Sequence, residues 1–114
     1  MLMEERTIKI TTKDEFKQCI NTLKYFILKF TATWCGPCKK VQPLVHKLFN
    51  NLPKDFYYVE VDVDEGSNIA SYLKIRTIPT IISYVNGDIH EILSSSNQTD
   101  ITNFFKKTNG HVTN

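Results

Sequence analysis

The sequence is poor in the residues that define several classes of protein. Its 114 residues include three cysteines, four glycines and four prolines. A small, odd number of cysteines excludes a scaffold held together by disulfides, and the few glycines and prolines exclude collagen-like and low-complexity chains. Hydrophobic residues make up 41% and charged residues 23% of the chain, which is the balance of one ordinary globular domain.

Long apolar runs and a strong excess of charge are also lacking. No apolar run exceeds four residues, whereas a membrane span needs about 20. The net charge is +2, so neither a membrane nor a nucleic acid is expected as a partner. The acidic pair Glu4-Glu5 stands where a signal peptide has basic residues, so a cytoplasmic location is expected. The abundance of Ile, Lys and Asn is typical of AT-rich genomes, and a virion is the alternative location if the source is a large DNA virus.

The apolar residues change their spacing repeatedly along the chain. Alternating or continuous apolar stretches predict strands over residues 7–10, 25–31, 56–62, 80–85 and 89–93. Helical spacing predicts helices over residues 12–23, 35–51 and 67–73, and a last one from about Ile101 to Lys107. This order predicts an α/β fold, with a mixed sheet covered by helices on both faces. Residues 1–6 are predicted to be a flexible N-terminus and residues 108–114 a flexible C-terminal tail.

Short signals within the chain support these elements. Thr12 followed by Glu15 fits a capping box at the start of a helix. Asn86-Gly87 is typical of a two-residue hairpin turn. The acidic cluster after the third strand, which includes Asp62 and Asp64, is expected to be solvated and to cap the helix at Ser67.

The chemistry is concentrated in Trp34-Cys35-Gly36-Pro37-Cys38, between a predicted central strand and a helix. Unpaired backbone N–H groups and the helix dipole at a helix N-terminus favour a thiolate, which makes Cys35 a nucleophile near neutral pH. Gly36 and Pro37 limit the freedom of the loop, and a proline early in a helix loses no hydrogen bond.

The other interpretation of this Cys pair is half of a structural zinc site. A tetrahedral zinc needs four ligands, and the remaining candidates, Cys19 and three histidines, have no finger-like spacing. We therefore expect no metal. Cys19 shares an apolar helical face with Phe16 and Ile20 and is expected to be buried.

Several motifs, in this order and spacing, resemble the thioredoxin family. Phe30 to Lys40 resembles the family's active-site strand and helix, and Val61 to Asp64 resembles the exit of its third strand. Thr77 to Thr80 resembles its loop with a cis proline, and Tyr84 to Gly87 its hairpin. The resemblance covers residues 7–107. It implies one thioredoxin domain with a central mixed five-stranded sheet flanked by helices on both faces.

The resemblance also implies a protein-disulfide reductase. Cys35 would attack a target disulfide and Cys38 would resolve the mixed disulfide, which leaves the redox-active disulfide Cys35–Cys38. No bound cofactor is implied; an NADPH-dependent thioredoxin reductase would recycle the pair, because the chain lacks a glycine-rich dinucleotide site. Disulfide-containing proteins would be its targets, in electron transport and cell redox homeostasis, with the chain acting as a monomer. The alternative function is a thioredoxin-fold binding or assembly factor whose redox turnover is not its main role.

The family resemblance extends to residues around the cysteines. Gly36 and Pro37 would support the pair, and Trp34, Ile78 and Pro79 would line an apolar groove for an extended target segment. Ser95 stands near a position where the family often has Gly, so a narrower groove is expected.

Lys29 departs most from the family, which usually has a buried Asp at this position. Alignment of the third strand places Glu60 near Lys29, so the pair would have its polarity reversed. In one interpretation both support the active site, with Glu60 as a base for Cys38 through a water and Lys29 favouring a nearby thiolate. In the other, Lys29 reaches solvent at a strand end and does no chemistry.

Overall fold

The computed structural model describes residues 3–113, and Met1, Leu2 and Asn114 lie outside that range. Within it, five strands, β1 to β5, span Thr7–Lys9, Tyr25–Thr31, Phe56–Asp62, Thr80–Val85 and Asp88–Ser94. Four α-helices, α1 to α4, span Lys13–Thr22, Gly36–Asn50, Ser67–Tyr72 and Gln98–Thr113, and a short 3-10 helix spans Met3–Arg6. No helix in this described part of the chain has the length and apolar character to cross a membrane.

The strands form one mixed sheet in the order β1-β3-β2-β4-β5. β1 and β2 run parallel to β3, whereas β4 runs antiparallel to both β2 and β5. Side chains of α1 and α3 pack on one face of the sheet, and side chains of α2 and α4 pack on the other. Apart from Lys29, the interior of strand β2 is apolar on both faces, because helices cover both. The fold predicted from the sequence is confirmed.

Two local signals in the sequence have the structural roles expected of them. Thr12 caps α1: its side chain accepts a hydrogen bond from the Glu15 N–H, and the Glu15 carboxylate accepts one from the Thr12 N–H, both at 3.1 Å. Asn86 and Gly87 have φ angles of 52° and 83°, the left-handed conformation that a tight two-residue hairpin requires. The capping box and the hairpin turn are therefore confirmed.

The end of α4 differs from the sequence prediction. The helix does not stop near Lys107 but continues to Thr113, so the prediction of a flexible tail from residue 108 is wrong as far as residue 113. Thr108 is fully buried, and its hydroxyl donates to the Ser83 hydroxyl at 3.0 Å. The His111 ring stacks on the His90 ring, with centroids 4.0 Å apart. These contacts hold the last turns against the sheet.

The N-terminal segment also differs where it is described, from Met3 to Arg6. Arg6 is 1% exposed. Its guanidinium donates to the Phe56 carbonyl at 3.2 Å and lies 4.7 Å from the centre of the Phe49 ring. The prediction that residues 1–6 are loose is therefore wrong for Arg6, because a carbonyl and an aromatic face replace the water that its charge would otherwise need.

Candidate active site

Cys35 and Cys38 meet at the N-terminus of α2. Cys35 is the N-cap residue of this helix, and its sulfur accepts a hydrogen bond from the Cys38 N–H at 3.2 Å. The two cysteines are joined as a disulfide, with their Cα atoms 5.3 Å apart. Cys35 is 4% exposed and Cys38 is 1% exposed. The free N–H groups at this helix end are available to stabilise negative charge on sulfur.

A loop from a different part of the chain lies against the disulfide. Ile78 packs on the cluster formed by Ala32, Cys35 and Cys38, and the Ile78–Pro79 peptide bond is cis. The Thr80 hydroxyl donates to the Thr77 carbonyl at 2.7 Å and is also 2.8 Å from the Ser94 hydroxyl. These hydrogen bonds tie the loop before β4 to the end of β5, so the apolar wall beside the sulfurs is held in place.

Trp34 forms the exposed side of the site. Its side chain is 66% exposed, and its indole Nε1 donates to the Asp64 carboxylate at 2.8 Å. Asp62 in turn accepts hydrogen bonds from the Asp64 and Glu65 N–H groups, at 2.8 and 3.2 Å. The acidic cluster thus orients Trp34, which sequence reasoning missed. The prediction that the acidic cluster caps α3 is wrong, because the N-cap is Gly66 and no side chain caps that helix.

The family model for thioredoxin matches residues 7–107. The chain belongs to the thioredoxin family. The thioredoxin of Mycoplasmoides gallisepticum is 41% identical over 78 residues, covering 68% of this chain and 77% of the relative. The thioredoxin of Coprinus comatus is 34% identical over 99 residues, covering 86% and 93%. The oxidised mitochondrial thioredoxin 3 of Saccharomyces cerevisiae matches with a TM-score of 0.80 at 31% identity, covering 92% of this chain and 98% of that one.

Membership of the thioredoxin family, together with the Cys35–Cys38 pair, makes the chain a thiol-disulfide oxidoreductase. The dithiol and disulfide forms of such a pair exchange two electrons with a partner disulfide or dithiol. In the described residues 3–113 no cluster of three or more His, Cys, Asp or Glu side chains is placed to hold a metal ion. The free thiol of Cys19 is buried on α1, as expected from its apolar neighbours.

Lys29 and Glu60 are direct neighbours across the β2–β3 ladder. Lys29 is 2% exposed, whereas Glu60 is half-buried and lines a surface cavity of about 250 Å³ that also includes Thr31, Lys39 and Gln42. Burial lowers the pKa of Lys29, and attraction to Glu60 offsets part of that effect. The cavity connects Glu60 with the first turns of α2, directly after Cys38.

His46 belongs to the same electrostatic neighbourhood, a link that the sequence did not reveal. Burial lowers the pKa of His46, the positive charge of Lys29 lowers it further, and Glu60 raises it. Its Nε2 atom is 3.5 Å from the Gln42 side-chain nitrogen. Any change of charge at Lys29 or Glu60 is therefore expected to move the titration of His46.

Ser95 lies at the start of the connection to α4. Its hydroxyl donates to the Asp100 carboxylate at 2.9 Å and accepts the Asn97 N–H at 3.0 Å. These bonds order the turn before the helix. Because Ser94 is tied to the Thr80 hydroxyl, this turn begins beside the loop that carries Ile78.

Proposed function

We propose that the chain is a protein-disulfide reductase in which Cys35 is the nucleophile and Cys38 the resolving cysteine. The observation that supports this most directly is the cysteine pair at the N-terminus of α2 with Ile78 packed against it. Cys35 accepts an N–H bond at its sulfur and is the more exposed of the two, at 4% against 1%. Both features favour Cys35 as the sulfur that meets the target first.

In the proposed reaction, the Cys35 thiolate attacks one sulfur of a target disulfide and forms a mixed disulfide. The other target sulfur leaves as a thiolate and takes a proton from solvent. Cys38 then loses its proton and attacks the Cys35 sulfur, which releases the second target thiolate. The target gains two electrons and two protons, and the chain keeps the Cys35–Cys38 disulfide.

Lys29 and Glu60 are the proposed support for the second step. Glu60 faces a cavity that begins beside Lys39, the residue after Cys38, so a water there offers a path for the Cys38 proton to the carboxylate. Lys29 supplies a buried positive charge on β2, the strand that leads to the cysteines, which favours the thiolate. Gly36 and Pro37 shape the helix end that presents both sulfurs.

The proposed target is an extended polypeptide that carries a disulfide. Trp34, Ile78, Pro79 and Ser95 are its proposed contacts, because an exposed indole, an apolar wall and an ordered turn stand at or next to the cysteines. An NADPH-dependent thioredoxin reductase is the proposed recycling partner, and the chain is proposed to act as a monomer. Its proposed location is the cytosol, or a virion. A reducing compartment keeps the dithiol form available.

The test combines insulin reduction with two cysteine variants. With dithiothreitol as electron source, the chain is expected to accelerate precipitation of the insulin B chain, and C35S is expected to abolish that effect. C38S is expected to accumulate mixed disulfides with insulin, visible on non-reducing gels. Adducts with C35S and none with C38S would reverse the two roles. Absence of any acceleration by the wild-type chain would refute the reductase function.

The recycling step has its own measurement. Insulin reduction is repeated with NADPH and a purified thioredoxin reductase in place of dithiothreitol, and NADPH oxidation is followed by absorbance. Oxidation that depends on both proteins is the expected result. Activity with dithiothreitol but with none of a panel of thioredoxin reductases would leave the chemistry standing and refute this route of recycling.

A further inference from the structure

We propose that Lys13, Lys17, Tyr72, Lys74 and Arg76 form a recognition strip that binds acidic segments of target proteins beside the redox site. The inference rests on the proposed reductase function and adds a class of target to it. The strip runs over α1 and α3 and along residues 73–79, which connect α3 to β4.

The centre of the strip is an aromatic ring with two ammonium groups close to it. Tyr72 is 52% exposed, and the Nζ atoms of Lys13 and Lys17 lie 5.4 and 5.8 Å from the centre of its ring. Residues four apart lie on the same side of a helix, so both lysines face α3. The Phe16 ring, which is buried in the core, contacts the Tyr72 ring edge-on, with centroids 6.4 Å apart. The Tyr72 ring is thus anchored to the core.

The other two cations lead from this ring to the sulfurs. Lys74 and Arg76 are exposed and lie in the connection that also carries Ile78, which packs on the cysteine cluster. Arg76 precedes Ile78 by two residues and Lys74 by four, which limits their Cα atoms to within about 8 and about 15 Å of it. A target segment held at the strip is therefore within reach of Cys35.

Two of the lysines occupy positions that disfavour them. Lys74 follows the end of α3 with a φ of 57°, and the Ile75 N–H closes the helix on the Ala70 carbonyl at 2.9 Å. This left-handed position after a helix is normally taken by glycine. Lys13 is the first residue of α1, where the helix dipole repels a cation. A side chain held in a left-handed backbone conformation, as Lys74 is, costs stability, and such costs are often found at functional sites.

The strip has little negative charge of its own. Residues 67–79 contain no Asp or Glu. On α1, Glu15 is engaged in the capping box, and Asp14, three residues before Lys17, is the one other acid beside the lysines. Asp62 and Asp64, close to Trp34, lie before α3 and are engaged with a backbone N–H group and with the Trp34 indole. Two cations over an exposed ring and two more in the following connection outnumber the acids along the strip, and therefore fit an acidic partner best.

The experiment compares two synthetic peptides that share one intramolecular disulfide but carry Glu-rich or Lys-rich flanks. The reduced chain is mixed with each peptide at low ionic strength, and second-order rate constants are measured by chromatography of the released thiols. A neutral disulfide, bis(2-hydroxyethyl) disulfide, measures the chemistry without charge recognition. The variant is K74E/R76E, and the matched control is K106E/K107E on α4, which covers the opposite face of the sheet.

The wild-type chain is expected to reduce the Glu-rich peptide about fivefold to tenfold faster than the Lys-rich one, with a smaller difference at high salt. The preference is expected to disappear in K74E/R76E and to persist in K106E/K107E, while both reduce the neutral disulfide like wild type. Equal wild-type rates for the two peptides would overturn the strip, as would loss of the preference in both variants or its persistence in K74E/R76E. If the wild-type chain reduces none of the three disulfides, the proposed reductase function itself is refuted.

Discussion

Replacing Lys29 by Met is expected to stabilise the protein, although the change removes the buried cation next to Glu60. Lys29 is 2% exposed in the middle of β2, and burial lowers its pKa more than Glu60 raises it. Exchange of a whole buried ion pair for apolar residues of similar volume is often stabilising by about 1–4 kcal/mol, whereas removal of one partner is destabilising when the other charge is left buried. Glu60 stays hydrated, because it lines a surface cavity. We therefore expect a gain of about 1–2 kcal/mol, or about 4–8 °C in Tm for a domain of this size.

The stability gained by K29M is expected to depend on pH. The folded state disfavours the charged amine, so the pKa of Lys29 is lower in the folded chain than its ordinary value of 10.5. The unfolded chain therefore binds this proton more tightly than the folded chain does. The destabilisation by Lys29 is therefore complete below its folded pKa and disappears as the pH rises toward 10.5. The advantage of K29M over wild type should shrink over that range.

The assay is urea denaturation of the oxidised proteins, followed by circular dichroism at neutral and at alkaline pH. K106M, a change at an exposed lysine of α4, is the control and is expected to stay within about 0.5 kcal/mol of wild type. E60Q is expected to destabilise by about 1 kcal/mol, since it removes the charge that partly compensates Lys29. A K29M variant that is less stable than wild type, or an advantage that does not change with pH, would refute the reasoning.

Three further predictions concern single contacts. G66A should lower the free energy of unfolding by about 1–3 kcal/mol in thermal denaturation, because a Cβ there would lie 2.7 Å from Val61 Cγ1. G110A should not be destabilised, because a Cβ there would meet nothing within 4 Å beyond its own helix, and equal losses would contradict this account. T12A should lose about 1 kcal/mol in urea denaturation with the capping box, and an unchanged midpoint would show that the cap contributes nothing. D64A should release the indole of Trp34, which is expected to increase acrylamide quenching of its fluorescence and slow insulin reduction; unchanged quenching would argue against this orientation.

Elements that depend on residues close together in the sequence could be predicted. Tyr25 to Thr31 is apolar at nearly every position, so its place at the centre of the sheet follows from the pattern. The capping box and the Asn86-Gly87 turn involve neighbours only, and both have the expected geometry. The spacing of Cys35 and Cys38 likewise predicts a pair that a short helix end brings together.

Contacts between distant parts of the chain could not be predicted from the sequence. Thr108 is polar, so it ended the apolar pattern of α4, yet Ser83 on β4 satisfies its hydroxyl and lets the helix continue. Arg6 belongs to the segment 1–6 that the sequence predicts to be flexible, whereas a carbonyl 50 residues away accepts its hydrogen bond. The partner of Trp34 is 30 residues away. In each case the partner, and not the residue type, decides burial or function.

Lys74 separates what the fold needs from what the site is proposed to need. Its φ of 57° suits glycine, so K74G is expected to raise the free energy of unfolding by about 1 kcal/mol in urea denaturation. The same change removes one ammonium group of the recognition strip and should reduce the preference for the Glu-rich peptide. An Ala at this position would lose the charge and keep the unfavourable backbone, so K74A should show the same loss of preference with no gain in stability. A K74G variant that gains stability and keeps the full preference would show that the position of Lys74 has no part in recognition.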